Sequence, residues 1–423
     1  MRLGLETTRA LLAALDNPQD ALRGALVAGT NGKGSVCAMA AEIAGHAGYN
    51  VALLTKPHLT SYRERIRIGG EFVTEARFSD LVTEVLRGAG RMDPSAGLPT
   101  HHELLTAMGF LAARDSDAEI TFCEVGLGGR LDATNVWDGG VAVVTSIGLD
   151  HQAQLGNTIP EIAGEKAAII KRGNLVVSGV SAEALPVVEE AARRAGARLW
   201  QLGNQVQVAT RELADQDQVE LDVTTPRQSL RGLRLGLAGA FQVPNAAVAV
   251  AVVECLNELG FEIGDNAIRA GLKTVRWPGR LDSLATVPEV IVDAAHNPAA
   301  VLALLPDLKN RVRRRPSVLL FGSMRDHDHK AMLQLLAGAG FRQAVLTSSR
   351  SGRAVPASEL RGEWPDDAEL VEPSEDAVRR ASLLAGVDGQ VVALGSIYLI
   401  GEVLAGLGVG LPPDPEVPFQ PLW

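Results

Sequence analysis

Val27-Ala28-Gly29-Thr30-Asn31-Gly32-Lys33-Gly34-Ser35 is the stretch on which the reading of this chain turns. It follows a short apolar run, Ala25–Ala28, and leads into a longer stretch, Ser35–His46, with helical spacing. That sequence predicts a Gly-rich turn between a strand and a helix. Such a turn points backbone N–H groups, and the positive end of a helix dipole, at an anion. Lys33 then reaches terminal phosphates, and the Ser35 hydroxyl offers an oxygen to Mg²⁺. The strict phosphate-loop spacing is not met: Val27 stands where the first Gly belongs, and Gly34 separates Lys33 from Ser35. A plain Gly-rich strand-to-helix turn has the same local pattern.

Working outward, short apolar runs alternate with amphipathic stretches. Val51–Leu54, Ile120–Val125, Val141–Ile147 and Leu175–Val177 read as strands, and Glu103–Arg114 and Ile159–Lys171 as helices. This rhythm predicts a parallel sheet with helices on both faces. From Leu202 to Leu237 the pattern turns polar and alternating, in Gln205–Val208 and Val219–Val223, which predicts a small antiparallel excursion. Asn245–Leu259 reads as a long Ala/Val-rich helix. A second βα series begins near Arg280, with strands at Val290–Val292, Val318–Phe321, Gln343–Leu346 and Val391–Leu394. Trp277-Pro278-Gly279 breaks both periodicities and reads as the linker. The expected fold is therefore α/β with two domains. Residues 1–276 form a P-loop-type ATPase domain with a mainly parallel sheet, and 280–423 a smaller, Rossmann-like α/β domain.

Bulk properties agree with this. A chain of 423 residues exceeds what one hydrophobic core usually serves. Its 46% hydrophobic and 21% charged residues are those of an ordinary globular protein, and its 4% aromatics suit helices on parallel strands better than a β-sandwich. A formal net charge of −10 argues against a general nucleic-acid binder, although a local basic site can still take a small anion. The one basic run, Arg311, Arg313, Arg314 and Arg315, precedes the apolar Ser317–Phe321 and reads as a solvated loop leading into a strand. Cys37, Cys123 and Cys255 have neither disulfide nor zinc spacing. Charges run through Met1–Leu15, and no apolar stretch approaches the ~18 residues that cross a bilayer. The expectation is a cytoplasmic protein with no membrane or nucleic-acid partner.

Several residues stand out chemically. Glu124 closes a buried strand at its carboxyl end, where open α/β sheets place ligands, and a metal is a natural partner for a carboxylate there. A helix-capping or surface Glu is the plainer reading. His151 is expected to end a strand after Asp150. A lone His is usually structural, and Mg²⁺ prefers oxygen. Lys166 sits in the Ala/Ile-rich stretch Ile162–Ile170, where an uncompensated ammonium is expensive unless it snorkels. Asp293-Ala294-Ala295-His296-Asn297-Pro298 reads as a strand followed by an Asn-Pro turn into a helix. His101-His102-Glu103 cannot aim at one point from adjacent helix positions, and Asp326-His327-Asp328-His329 reads as a solvated loop rather than a metal site.

The order of these stretches resembles the folate branch of the Mur ligase superfamily. The resemblance rests on GTNGKGS at 29–35, Leu3-Gly4-Leu5-Glu6, Pro57-His58-Leu59 with Glu64-Arg65-Ile66, and Glu124–Asn135. It continues through Thr145–His151, Gly164-Glu165-Lys166-Ala167, Trp277–Leu281, Asp293–Pro298 and Gly395–Leu399. It implies an ATP-dependent amide ligase that makes an acyl phosphate and captures it with L-glutamate. Dihydropteroate and reduced folates are the implied acceptors, ATP the cosubstrate, two Mg²⁺ and a monovalent cation the cofactors, and a monomer the working unit. Thr30, Asn31, Gly32, Lys33, Gly34, Ser35, Asn245, Arg280 and Asp293 are the implied ATP contacts. Lys33, Lys166, Asp293 and His296 are the implied catalytic groups, the last two reaching ATP from the second domain. Ser35, Glu124, His151 and Lys166, the last as a carbamate, are the implied metal ligands. Leu3, Gly4, Leu5, Glu6, Thr100, His101, His102, Glu103, Leu131, Asp132 and Ala133 match pteroate-contacting segments, and with them both glutamate additions, onto dihydropteroate and onto a folate, are expected at one site.

Two positions depart from the family pattern. Lys56 replaces the usual Ser before Pro-His-Leu, a Ser that assists Mg²⁺, and His102 stands where Phe is commoner. An ammonium at 56 replaces part of a metal's charge neutralisation or weakens its site. Folylpolyglutamate synthesis alone is the narrower alternative. A cell-wall Mur ligase is disfavoured by the short stretch ahead of the first strand, which leaves little room for a UDP-sugar domain. A GTPase switch would need an Asn-Lys-x-Asp motif, and a nicotinamide dehydrogenase a Gly where Cys37 stands.

Overall fold

The computed structural model describes residues 4–212, 219–365 and 367–414. Leu3, one of the expected substrate contacts, lies outside the described residues. The chain groups into two compact units. The first comprises the chain up to Pro57, Arg65–Asp282 and Leu302–Asp307; the second comprises His58–Glu64, Ser283–Val301 and the chain from Leu308.

The strands are β1 Gly24–Ala28, β2 Val51–Leu54, β3 Ile66–Ile68, β4 Glu71–Phe72, β5 Ile120–Glu124, β6 Gly140–Val144, β7 Leu175–Ser178 and β8 Arg198–Gln201. They form one sheet in the order β4-β3-β2-β5-β1-β6-β7-β8. Pairing is parallel from β2 to β8, and only the β3 and β4 edge runs antiparallel. Every residue of β1 and β5 is buried, as expected of parallel strands covered on both faces. The chain passes from β1 to β2, returns to β5 beside β1, then places β6 on the other side of β1. This reversal opens a crevice at the carboxyl ends of β1, β5 and β6, the place where such sheets bind ligands.

The helices of this part are α1 Glu6–Ala13, α2 Lys33–His46, α3 Glu75–Ala89, α4 His101–Asp115, α5 Gln152–Leu155, α6 Ile159–Ala167, α7 Leu185–Ala195, α8 Gln242–Glu258 and α9 Asp265–Thr274. Helices α2 and α8 are buried along most of their length, and their Ala- and Val-rich surfaces allow close approach. A three-stranded antiparallel sheet, β9 Gln207–Glu212, β10 Val219–Thr224 and β11 Ser229–Arg234, occupies the polar alternating region. Its Leu221, Val223, Leu230 and Leu233 join the core around α8. Glu254 of α8 is fully buried there and accepts a hydrogen bond from the Thr225 hydroxyl.

The second unit is built on β12 Asp282–Leu284, β13 Glu289–Val292, β14 Ser317–Phe321, β15 Gln343–Leu346, β16 Ala368–Leu370 and β17 Gln390–Leu394. Their order is β12-β13-β17-β14-β15-β16, parallel from β13 to β16. Val292, Leu320, Val345 and Val391 lie in its core.

Three expected elements need correction. β6 stops at Val144 rather than Ile147, because Thr145 and Ser146 turn their hydroxyls to the loop after β1. α6 stops at Ala167 rather than Lys171; the Lys171 N–H goes to Asn174 Oδ1, and Gly173 turns the chain with φ +75°. Arg311, Arg313 and Arg314 form the last turn of α10 Pro298–Arg314 rather than a loop, where the helix dipole favours cations. Among the described residues, no helix is long and apolar enough to cross a membrane.

Helix α9 meets α2 at Gly271, where an added Cβ would sit 2.5 Å from Ile43 Cα and 2.6 Å from Ile43 N. Ala raises helix propensity over Gly by about 1 kcal/mol, but overpacking against backbone costs roughly 1–3 kcal/mol. Gly271→Ala should therefore lower the urea midpoint of unfolding. A midpoint equal to or above wild type would show that α2 and α9 part easily.

Candidate active site

The loop after β1 is fastened before it can hold anything else. The Thr30 N–H donates to Ser146 O at 2.6 Å, and the hydroxyls of Thr145 and Ser146 donate to Asn31 O at 2.7 and 3.0 Å. Gly32 caps α2 in the left-handed region at φ +85°, and a Cβ there would lie 2.4 Å from Asn245 Oδ1. Only glycine fits on both counts. Gln242, fully buried, donates to Ser35 Oγ at 3.3 Å and accepts from Asn245 Nδ2 at 2.9 Å. Sequence reasoning singled out Ser35 and Asn245 but missed Gln242, Thr145 and Ser146 as site residues. Gln242 stands one helical turn before Asn245, and a Thr-Ser pair directly follows a buried strand; both signals were present.

Two ammonium groups converge on one carbonyl. Lys33 Nζ donates to Gly29 O at 3.1 Å and to Thr30 O at 3.0 Å, and Lys166 Nζ donates to Gly29 O at 3.0 Å. Lys166 is only 4% exposed, so it does not snorkel. Burial, then the Lys33 charge, pushes its pKa down to about 7, against the pull of Asp150, Asp132 and Glu165. Glu124, at the end of β5, is buried and lies 4.0 Å from Lys33 Nζ through Oε1. Its Oε2 accepts the Lys56 N–H at 3.1 Å and lies 3.3 Å from where a Cβ on Gly34 would sit. Burial raises its pKa, while Lys33, the Lys56 N–H, Arg280 and the Lys56 charge pull it down.

The expected pteroate segments divide into structural and exposed parts. Thr100 and Glu103 form a capping box at the start of α4, and Glu103 also accepts from the buried Thr8 hydroxyl at 2.8 Å. Leu5 is buried beneath the exposed Glu6, with Gly4 half-buried ahead of them. Asp132 and Ala133 are buried and Leu131 half-buried. Asp132 Oδ2 accepts from the N–H groups of Gly126 and Leu127 at 3.1 and 3.0 Å, and Oδ1 from Thr134 N and Oγ1 at 3.0 and 2.6 Å. The Lys56 charge and bonds from His102 and Thr134 outweigh burial and hold its carboxyl well below the usual range. His102 Nε2 lies 3.0 Å from Asp132 Oδ2. Burial, then Arg65 and His102, lowers the His101 pKa.

His151 does not end a strand. It lies beyond β6 at the cap of α5, in a left-handed conformation at φ +48°, with Nε2 3.9 Å from Asp150 Oδ1. Asp293 and His296 belong to the second unit. Asp293 follows β13 and accepts from Ala295 N at 2.7 Å, and His296 Nδ1 meets Ala294 O at 2.8 Å. Asn297 caps α10 through Ala300 N, as the Asn-Pro turn predicted. In 326–329, Asp328 caps the helix His329–Ala337.

Lys166 sets a pH dependence. Its folded pKa, about 7, lies below the ~10.4 of an unfolded Lys, so between these values the unfolded chain binds more protons. The stability cost of Lys166 is fully present below pH 7 and is relieved as pH rises towards 10. Lys166→Met should therefore be stabilising at pH 6, by an amount that shrinks steadily towards pH 9 in urea melts. A pH-independent difference would mean that Lys166 stays charged in the fold.

Residues 27–253 match the Mur ligase middle domain, and residues 279–397 the Mur ligase glutamate ligase domain. The chain is 33% identical over 414 residues to the dihydrofolate synthase/folylpolyglutamate synthase of Bacillus subtilis, covering 95% of this chain and 94% of that protein. Among solved structures it is similar to E. coli FolC in complex with DHPP and ADP, with 28% identity, a TM-score of 0.88, and 96% and 94% of the two chains covered. It is likewise similar to the bifunctional folylpolyglutamate synthase/dihydrofolate synthase of Yersinia pestis complexed with AMPPNP and Mn ion, with 29% identity, a TM-score of 0.86, and 97% and 94% covered. With the Gly29–Ser35 turn at the carboxyl edge of its parallel sheet and similarity along 95% of its length, this chain belongs to the Mur ligase family, in the branch of the dihydrofolate synthases/folylpolyglutamate synthases.

Proposed function

We propose that this chain is an ATP-dependent, ADP-forming ligase that adds L-glutamate to dihydropteroate and to the glutamate tail of reduced folates. The observation that carries this reading is the convergence of Lys33 and Lys166 on Gly29 beside buried Glu124. It occurs in a chain similar along 95% of its length to an enzyme named for both reactions. Both additions share one chemistry. A carboxylate oxygen of the acceptor attacks the γ-phosphorus and ADP departs, leaving an acyl phosphate. The glutamate amine attacks its carbonyl carbon, loses a proton, and the tetrahedral intermediate expels phosphate.

The residues take these roles. Thr30–Ser35 cradle the phosphates with Lys33 at the terminal ones, and Asn245 and Arg280 contact the nucleotide. Fixed cations and N–H groups aimed at developing charge do most of such work. Asp293 and His296, retained on the family resemblance, complete the ATP contacts. In the acceptor segments, Thr100, Glu103 and Asp132 hold the backbone in place. Leu3–Glu6, His101, His102, Leu131 and Ala133 are kept as pterin contacts on the family resemblance, with Leu5 and Ala133 buried beneath the surface. The domain boundaries, 1–276 and 280–423, are supported by the two family matches at 27–253 and 279–397. A cytoplasmic monomer is the working unit.

The donor set suits Mg²⁺. Ser35 and Glu124 offer oxygens, and among the described residues no three His, Cys, Asp or Glu cluster as a metal cage. An ion sharing one carboxylate and one hydroxyl with phosphate oxygens and water is the habit of Mg²⁺. When bound it neutralises charge on the terminal phosphates. On the family resemblance His151 would join Ser35 and Glu124 on this ion, Lys166 as a carbamate would serve a second, and a monovalent cation completes the set. Carbamate formation needs a neutral amine, which a pKa of about 7 supplies near neutral pH. Wild type equilibrated with ¹³C-bicarbonate should show a protein carbamate resonance that Lys166→Arg lacks. An identical spectrum from both proteins would exclude the modification.

The central test is ATP- and L-glutamate-dependent phosphate release with dihydropteroate as sole acceptor, repeated with tetrahydrofolate. Turnover is expected with both. Lys33→Ala should lower kcat by roughly 10² or more while keeping the fold, and Asp293→Ala and His296→Ala should depress ligation far more than stability. Turnover with tetrahydrofolate alone would restrict the chain to folylpolyglutamate synthesis, and turnover only with a UDP-linked peptide would make it a cell-wall ligase. Wild-type rates from folded Lys33→Ala would remove the phosphate-loop assignment.

A further inference from the structure

Lys56 and His102 lie far apart in sequence but touch in the fold. Lys56 Nζ is 3.0 Å from His102 Nε2 and 3.2 Å from Nδ1, and 3.8 Å from Asp132 Oδ1. Asp132 already accepts four hydrogen bonds from the 126–134 loop, and its Oδ2 lies 3.0 Å from His102 Nε2. His102 Nε2 lies 3.0 Å from both the Lys56 ammonium and Asp132 Oδ2, so the imidazole is wedged between cation and carboxylate. At 3.8 Å the carboxylate neutralises the ammonium partly but takes no hydrogen bond from it. An ammonium carries three donors, and the Lys56 side chain keeps only 14% of its surface in water. An anionic oxygen is the acceptor chemistry that answers the remaining donors.

The position says which anion. Lys56 follows β2 as Glu124 ends β5, and the Lys56 backbone N–H binds Glu124 Oε2. Glu124 Oε1 faces Lys33 of the phosphate loop. Lys33 thus faces this buried carboxylate with its ammonium and Lys56 with its backbone N–H, and the Lys56 charge also acts on it. An acyl-phosphate ligase must bring two anions together, a nucleotide phosphate and an acceptor carboxylate, and their repulsion is strong in a partly desolvated crevice. Lys33 serves the first.

We propose that Lys56, held in place by Asp132 and His102, binds the reacting carboxylate of the pteroyl acceptor and so selects an anionic acceptor. The inference rests on the ligase reading and deepens it. Asp132 and His102 act as positioning residues: the first anchors the loop and the imidazole, and the second aims the ammonium.

The test compares binding of dihydropteroate and its carboxamide, measured calorimetrically without glutamate so that no ligation occurs. Wild type should prefer the acid at least ten-fold. Lys56→Met should bind both alike and raise the acceptor KM at least ten-fold, with the ATP KM within two-fold. Lys56→Arg should keep most of the preference, and His102→Ala should narrow it. If Lys56→Met does not fold, Lys56→Gln takes its place. An unchanged acid-to-amide ratio in the folded, uncharged variant overturns the proposal. A wild type that joins glutamate to neither dihydropteroate nor tetrahydrofolate refutes the ligase reading instead, and the binding ratio still judges Lys56.

Discussion

The carbonyl oxygen of Gly29 accepts from two ammonium groups at 3.0–3.1 Å, and much of the first unit is arranged to permit it. The two charges repel, so at least one lysine must be buried, oriented and partly neutral to stay there. Lys166 meets this demand from α6, driven towards neutrality by burial and by Lys33. Lys33 reaches the same oxygen from the first turn of α2. Both approaches need the loop after β1 to be rigid, and the Thr145–Ser146 hydroxyls and the glycine at 32 make it so.

Buried charge is costly unless it is paired, and the site is balanced accordingly. Glu124 alone would be expelled towards its protonated form; Lys33, Arg280 and Lys56 hold it back. Asp132 is the opposite case, a carboxylate so well supplied with donors that it stays ionised while staying buried. One carboxylate keeps a single N–H and a cation beside it, and the other is committed to holding a loop. Their difference follows from the Lys56 charge and the His102 and Thr134 side-chain bonds, which outweigh burial at Asp132, whereas burial prevails at Glu124.

Much of this was legible in the sequence. Uniformly apolar runs marked the parallel strands, glycines marked the turn at 29–34, and the position of Glu124 at a strand end placed it at the carboxyl edge. These signals are local, because strand burial and turn conformation depend on a few consecutive residues. The misplacements were also local in origin. The run Val141–Ile147 predicts a strand reaching towards His151, yet hydroxyl bonding of Thr145 and Ser146 to another loop ends the ladder at Val144. The Arg run reads equally as a solvated loop or as a helix end, because both favour clustered cations, and the fold makes it the last turn of α10.

What the sequence by itself determined is the alternation of elements, the Gly-rich turn after the first strand and the family. The first two are carried by residue types at short spacing, and the family by the order of such stretches along the chain. Only the tertiary structure decided that Gln242 bridges Ser35 and Asn245, that Thr100, Glu103 and Asp132 are spent on holding backbone, and that Lys56 meets His102. Those contacts join residues 46 to 207 positions apart, or divide one segment's side chains between ligand and framework. No periodicity encodes them, because they arise when parallel strands bring loops distant in the chain to the same edge of a sheet.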